Sequence, residues 1–283
     1  MCRYLVSLVL SILFFSQFTY AAEPACSSRH WGDIQAKYCI DKPLSGDSDT
    51  VIVYFHGLGG SEKEWFTSSE MQTIRDELRT RKLDPWVITV SYGKAWILTE
   101  VPNGLLFPKT VDELLPDLFD SIKPTGFAHK YLAGASMGGL NTSQVMLKRP
   151  QMFDKYMLIC PAITTVGPYA PERDVLEYLW RTGAQAKRVA FMMQWARLEF
   201  PTAVAWTNHS PLVLADRNMV LPDVYLSCGL KDEFGFQEGA HQLYAKIRPK
   251  ATHAWWVPIP NGTHCAVDAK SIVDFLTSER PQP

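Results

Sequence analysis

Gly134-Ala135-Ser136-Met137-Gly138 constrains the fold of this chain more than any other stretch, because it suits a strand that turns sharply into a helix with a serine at the corner. The short run Lys130-Tyr131-Leu132-Ala133 ahead of it has the apolar character of a buried strand. Residues 139–149 read as a helix, with Leu140, Val145, Met146 and Leu147 apolar and Pro150 as the stop. Glycines two positions to either side of Ser136 are expected where side chains would clash in so tight a turn. A Gly-rich turn with a structural serine is the competing reading, and the strand and helix around the motif argue against it.

A serine hydroxyl is a weak nucleophile until a base takes its proton, and that base is usually a histidine oriented by a carboxylate. Residues 223–228 read as a strand followed by Gly229-Leu230-Lys231-Asp232, and residues 254–259 as a strand followed by Asn261-Gly262-Thr263-His264. Asp232 and His264 are therefore expected in loops at the same sheet edge as Ser136, in the chain order serine, acid, histidine. Among seven histidines His264 is the favoured base, with His209 as the alternative. His253 falls at the wrong end of its strand, His241 inside a helix, and His30 and His129 ahead of strands. Glu233 competes with Asp232 as the orienting acid, and Gly229 favours Asp232 by permitting the turn that points it inward.

Residues 51–55 form a β-branched apolar run typical of a central strand, leading into His56-Gly57-Leu58-Gly59-Gly60. Such a loop brings backbone N–H groups close to a ligand. The backbone amides of Leu58 and Met137 are the expected oxyanion donors, and His56 the expected brace of the loop.

Taken together, His56 to Gly60, Gly134 to Gly139, Gly229 to Asp232 and Gly262 to His264 resemble an α/β-hydrolase. The Ser-Met-Gly-Gly form is similar to the esterase branch that includes S-formylglutathione hydrolases, feruloyl esterases and mycolyltransferases. The resemblance covers residues 50–278. It implies an α/β fold with a mostly parallel eight-stranded sheet, helices on both faces, and a Ser136–Asp232–His264 triad at the carboxyl edge. Cys265, directly after His264, departs from the pattern.

The amino terminus has a single positive charge at Arg3, an apolar stretch over 5–15, and small residues before a cut after Ala21 or Ala22. Residues 1–21 are thus expected to be a secretory signal peptide, with an uncleaved anchor as the alternative, and 22–283 a single domain. A periplasmic or secreted location follows, with no stable membrane span once the signal is removed. The formal charge of −1 offers no basic stripe for nucleic acid, no metal-ligand spacing occurs, and no cofactor is expected. Oligomeric state is not legible.

Export makes the cysteines interpretable. Five follow the signal: Cys26, Cys39, Cys160, Cys228 and Cys265. Cys26 and Cys39 are expected to pair, stabilising by roughly 3 kcal/mol in a chain-entropy estimate. Cys228 is expected to pair with Cys265, with Cys160 as the competing partner of Cys228. The odd count leaves at least one thiol free.

About 60 residues separate the strand ending at Cys160 from the one starting at Asp223, more than an ordinary connection needs. A small helical cap is expected at about 164–220, with helices over 173–180 and 186–198 and an irregular stretch over 200–218. Trp96, Trp195 and Trp206 are candidates to bind substrate, and packing is the competing role. The implied activity is cleavage of small-molecule or glycan-linked carboxylic esters. An acyltransferase on the same scaffold and a non-catalytic binding protein are the alternatives.

Overall fold

The computed structural model describes residues 23–93, 96–98 and 104–278. The expected signal peptide lies outside them. The chain runs through β1 (Ala25–Trp31), β2 (Ile34–Asp41), β3 (Thr50–Phe55), α1 (Glu64–Thr67), α2 (Ser69–Thr80), β4 (Trp86–Ser91) and a π-helical segment, Pro108–Leu114, that leads into α3 (Leu115–Ile122). It continues through β5 (His129–Ala135), α4 (Met137–Lys148), β6 (Lys155–Ile159), α5 (Glu172–Thr182), α6 (Ala186–Glu199), α7 (Ala203–His209) and α8 (Pro211–Leu214). The last elements are β7 (Asp223–Gly229), α9 (Phe236–Ile247), β8 (Ala254–Ile259) and α10 (Ala269–Thr277).

The strands form one eight-stranded sheet in the order β1-β2-β4-β3-β5-β6-β7-β8. β1 and β2 pair antiparallel with their neighbours, and the strands from β4 to β8 are mutually parallel. A parallel sheet needs cover on both faces, which is why Val51 to Phe55 and the whole of β6 and β7 are buried. α2 packs with α10 and is tied to it by Arg81 and Asp274 at 2.8 Å. α4 packs on β3, β5 and β6, with α8 against it and α9 against α8. Residues Met137 to Leu147 of α4 are all buried, so this helix is enclosed on every side.

One buried cation has a local explanation. Lys155 opens β6, and its Nζ donates to the carbonyls of Phe275 and Ser278 at 2.7 Å each and of Leu276 at 3.2 Å. These are the C-terminal carbonyls of α10 and its cap, where a positive charge is favoured.

Three expectations need correction. The stretch 200–218 is not irregular: Thr202 caps α7 by accepting from the Ala205 N–H at 3.0 Å, and Pro211 opens α8. α4 begins at Met137, directly after Ser136, instead of at Gly139. The third correction concerns the disulfides. Cys26 and Cys39 are joined as directly opposed residues of the β1–β2 hairpin, but Cys265 pairs with Cys160, and Cys228 is a buried free thiol. Cys228 lies at the end of β7 with its Sγ 3.9 Å from Asp232 Oδ2, while the partner of Cys265 comes from the end of β6. Burial, with the Asp232 carboxylate beside it, pushes the Cys228 thiol well up, which keeps it protonated and unreactive.

Candidate active site

Ser136 sits between β5 and α4 with φ +54° and ψ −114°, a conformation that side-chain-bearing residues rarely adopt. Three glycines allow it. A Cβ on Gly134 would lie 2.2 Å from the Gly138 carbonyl oxygen, and one on Gly138 would lie 2.0 Å from that of Phe55. One on Gly139 would approach Pro161 Cα at 2.9 Å. The strand, the turn and the helix thus pack backbone to backbone, and Ser136 is left half-buried at the corner.

The end of β7 and the end of β8 deliver the other two groups. His264 Nδ1 lies 2.7 Å from Asp232 Oδ2, and His264 Nε2 lies 2.9 Å from Ser136 Oγ. A carboxylate only accepts, so Nδ1 carries the proton and Nε2 is left to accept the serine hydroxyl proton. Asp232 is 2% exposed, and its Oδ1 accepts the N–H of Phe234 at 2.8 Å and of Phe236 at 3.4 Å. Glu233 has a different part: its Oε2 accepts the His264 backbone N–H at 2.9 Å.

His209 lies elsewhere, in α7, with Nδ1 at 2.7 Å from the Ala205 carbonyl and its ring stacked on Phe200. His253 pairs with Asp223 at 2.9 Å, at the opposite edge of the sheet. His30 falls within exposed β1, an element the sequence reading did not foresee.

The loop after β3 is braced from two sides. Buried His56 bonds the Gly57 carbonyl at 2.7 Å and Ser91 Oγ at 2.9 Å. Glu64 Oε1 accepts from Tyr54 OH at 2.6 Å and from the Gly57 N–H at 3.0 Å. This holds the loop against Ser136: a Cβ on Gly57 would sit 3.6 Å from Ser136 Cβ. Met137 supplies the first N–H of α4, a position with no acceptor inside the helix and at its positive end. Leu58 is half-buried in the same loop.

The aromatic candidates divide. Trp96 is 2% exposed and packs with Phe200 and Trp206 at ring-centroid distances of 5.4 and 5.8 Å, so it belongs to the core. Trp206 and Trp195 are half-buried, the latter stacked on Phe191 at 6.4 Å. The rings brought to His264 are instead Phe234 at 4.7 Å and Phe236 at 5.5 Å, which the sequence reading missed. Their only signal is their place directly after Asp232. Cys160, His264 and Cys265 place three possible ligand atoms within 4.8 Å of one another, but the two sulfurs are bonded to each other and both ring nitrogens are engaged.

Helices α5 and α6 are fastened to the acid loop. Tyr178 OH donates to the Phe234 carbonyl at 2.7 Å, and the Gln185 N–H to the Glu233 carbonyl at 2.8 Å. Arg181 pairs with Glu238 of α9 through two bonds of 2.6 and 2.9 Å, and Thr165 also donates to Glu238. The Arg181 guanidinium, opposed by partial burial and helped by the Thr165 hydroxyl, holds the Glu238 carboxyl below the usual carboxylate range. A depressed folded-state pKa contributes stability above the ordinary carboxylate value, and that contribution is lost as the pH falls through the folded value. Arg181→Ala is therefore expected to lower the melting temperature at neutral pH, by about 0.5–1 kcal/mol of stability because water screens the pair. The difference from the parent protein should close on acidification, measured by thermal melts from neutral pH to pH 3. A difference that stays constant would show that charge pairing is not its source.

No family model matches this sequence. An alignment 152 positions long, which covers 50% of this chain, is 28% identical to an endo-1,4-beta-xylanase/feruloyl esterase from Xylanibacter ruminicola and spans only 20% of that protein's length. Among solved structures, Est1E from Butyrivibrio proteoclasticus superposes with a TM-score of 0.58 at 14% identity, covering 89% of this chain and 97% of that one. A ferulic acid esterase gives 0.59 at 13% identity, over 90% and 94%. An S-formylglutathione hydrolase from Agrobacterium tumefaciens gives 0.60 at 15%, over 89% and 90%. This is the α/β-hydrolase fold. In α/β-hydrolase terms, Ser136 occupies the corner between the central strand β5 and helix α4. Asp232 and His264 occupy the loops after the last two strands.

Proposed function

We propose that this α/β-hydrolase-fold protein is a secreted serine esterase that cleaves carboxylic esters through an acyl-enzyme on Ser136. The observation that carries the proposal is the unbroken chain of hydrogen bonds from Ser136 Oγ through His264 to Asp232, at 2.9 and 2.7 Å. His264 Nε2 takes the serine proton as Oγ attacks the ester carbonyl, and returns it to the leaving alkoxide. Asp232 holds the imidazole with its proton on Nδ1 and stabilises the imidazolium that forms. The amides of Met137 and Leu58 receive the developing oxyanion, and donors of this kind lower the barrier by about 3 kcal/mol each. Water, activated by the same imidazole, then releases the acid.

The esterase reading draws support from the names of the relatives above. A small or glycan-linked ester is the proposed substrate, with the exposed side of Phe234 as an apolar wall beside His264 and Trp195 and Trp206 as further candidates on the helices between β6 and β7. These helices, α5 to α8, are proposed to act as the cap. Export is supported by the two disulfides, which persist in oxidising compartments, and by the leader-like residues 1–21. Among the described residues no helix is long and apolar enough to cross a membrane.

The test uses p-nitrophenyl acetate, phenyl acetate and methyl ferulate, with methanol as a competing acceptor. Once the leaving alcohol has departed, both acetate esters give the same acyl-enzyme, which partitions between water and methanol. The ratio of methyl acetate to acetate is therefore expected to be the same from both acetate esters. A ratio that changes with the leaving group would contradict the acyl-enzyme. Absence of turnover of every ester by folded protein would favour a binding protein on the same scaffold.

A further inference from the structure

His264 is carried by the loop between β8 and α10, and this loop is fastened unequally. Toward β7 it is held by hydrogen bonds: Leu230 N–H to the Ile259 carbonyl, Lys231 N–H to the Gly262 carbonyl, and His264 N–H to Glu233, each at 2.9 Å. Gly229 lets the loop come close, since a Cβ there would lie 2.3 Å from the carbonyl oxygens of Gly262 and Thr263. Toward Ser136, among the described residues, no hydrogen bond joins residues 260–268 to residues 129–148 or to β6 except that between His264 and Ser136.

The covalent tie on that side is the Cys160–Cys265 bridge. β7 lies between β6 and β8, so the bridge crosses the carboxyl end of β7 to reach the far side of the site. Its anchor is firm. The Cys160 N–H donates to the Ser227 carbonyl at 2.7 Å, and two residues later the Ala162 N–H donates to the Ser136 carbonyl at 2.9 Å. Both half-cystines have left-handed backbones, φ +39° at Cys160 and +57° at Cys265, which residues with side chains keep only where surrounding structure holds them. Cys265 Sγ lies 3.5 Å from His264 Nε2, the nitrogen that faces Ser136.

We propose that the Cys160–Cys265 bridge is a positioning element of the catalytic site, which fixes the His264 ring against Ser136 from the side where hydrogen bonds do not. The inference rests on the Ser136–Asp232–His264 reading given above. It ties full turnover to compartments in which the bridge closes. With the bridge open, the loop stays attached to the acid side, and the imidazole is free to swing away from Oγ.

The test compares Cys160→Ser/Cys265→Ser with Cys26→Ser/Cys39→Ser, which removes the other bridge, on the hairpin away from the site. The first variant is expected to lose about 30-fold in kcat with KM within about twofold, since small misplacements of a catalytic group cost up to about 100-fold. Fluorophosphonate labelling of Ser136 should slow by the same factor, and the low-field proton resonance of the His264 Nδ1–H should broaden or vanish. The second variant should keep kcat within about twofold of the parent.

If the first variant does not fold, folded Cys26→Ser/Cys39→Ser protein is titrated with dithiothreitol. The reagent gives two electrons and two protons to the remaining bridge and closes into its own cyclic disulfide. Activity should fall as two thiols appear per chain, and return on reoxidation. A lower melting temperature with unchanged kcat, labelling rate and resonance would overturn the inference and leave the bridge a structural staple. If the parent protein is not labelled at Ser136, it is the catalytic reading that fails, before the bridge is tested.

Discussion

Ser136→Ala is expected to lower kcat by about 10⁶-fold on any ester the parent protein turns over, with the melting temperature nearly unchanged. The loss is large because, among the described residues, the cysteines near His264 offer no substitute: Cys265 is consumed in a disulfide, and Cys228 lies buried against Asp232. The fold should tolerate the change, because the strained turn is held by the close packing of Gly134, Gly138 and Gly139 and not by the hydroxyl. A residual rate of about 10³–10⁴ over water is expected from the amide donors and substrate binding alone. Steady-state assays on folded parent and variant at matched protein concentration measure the effect, and a loss below tenfold would place the nucleophile elsewhere.

Asp232→Asn is expected to cost about 10⁴-fold in kcat, by enforcing the wrong tautomer. The backbone N–H groups of Phe234 and Phe236 both donate to Oδ1, so an asparagine must present its oxygen there and its NH₂ to the imidazole. His264 Nδ1 then becomes the acceptor, the ring proton moves to Nε2, and Nε2 cannot take the serine proton. Glu233→Gln is the matched control. An amide oxygen still accepts the His264 N–H, so the loss there should stay within about tenfold. Equal losses in the two variants would contradict the division of labour between these neighbouring acids.

The elements that sequence made legible are those set by short-range pattern. β5, the turn at Ser136 and α4 follow from an apolar run, flanking glycines and a helical repeat within 20 or so residues, and β3 with its glycine loop reads the same way. Asp232 and His264 were legible because each closely follows a strand. The disulfides were legible only in part. Cys26 and Cys39 are neighbours in a hairpin, whereas Cys160 and Cys265 meet across β7 through two left-handed turns that no local pattern announces. Composition likewise could not tell Trp96, sealed between Phe200 and Trp206, from Phe234, which lies against the imidazole. Nothing local in the sequence marks Glu64 as a brace of the glycine loop, because its bond to the Gly57 N–H exists only once α1 folds back on β3. Residues 200–218 were read as irregular because α7 and α8 are too short to show a helical repeat, and their starts at Thr202 and Pro211 are the remaining signals.

The most direct measurement is to treat the purified protein with a fluorophosphonate probe and to map the adduct by mass spectrometry, with Ser136→Ala alongside. A single adduct on Ser136, absent from the variant and prevented by His264→Ala, is the expected result, because only a serine activated by an assembled triad reacts at an appreciable rate. No adduct on folded protein, or an adduct on another residue, would contradict the assignment of Ser136 as the nucleophile.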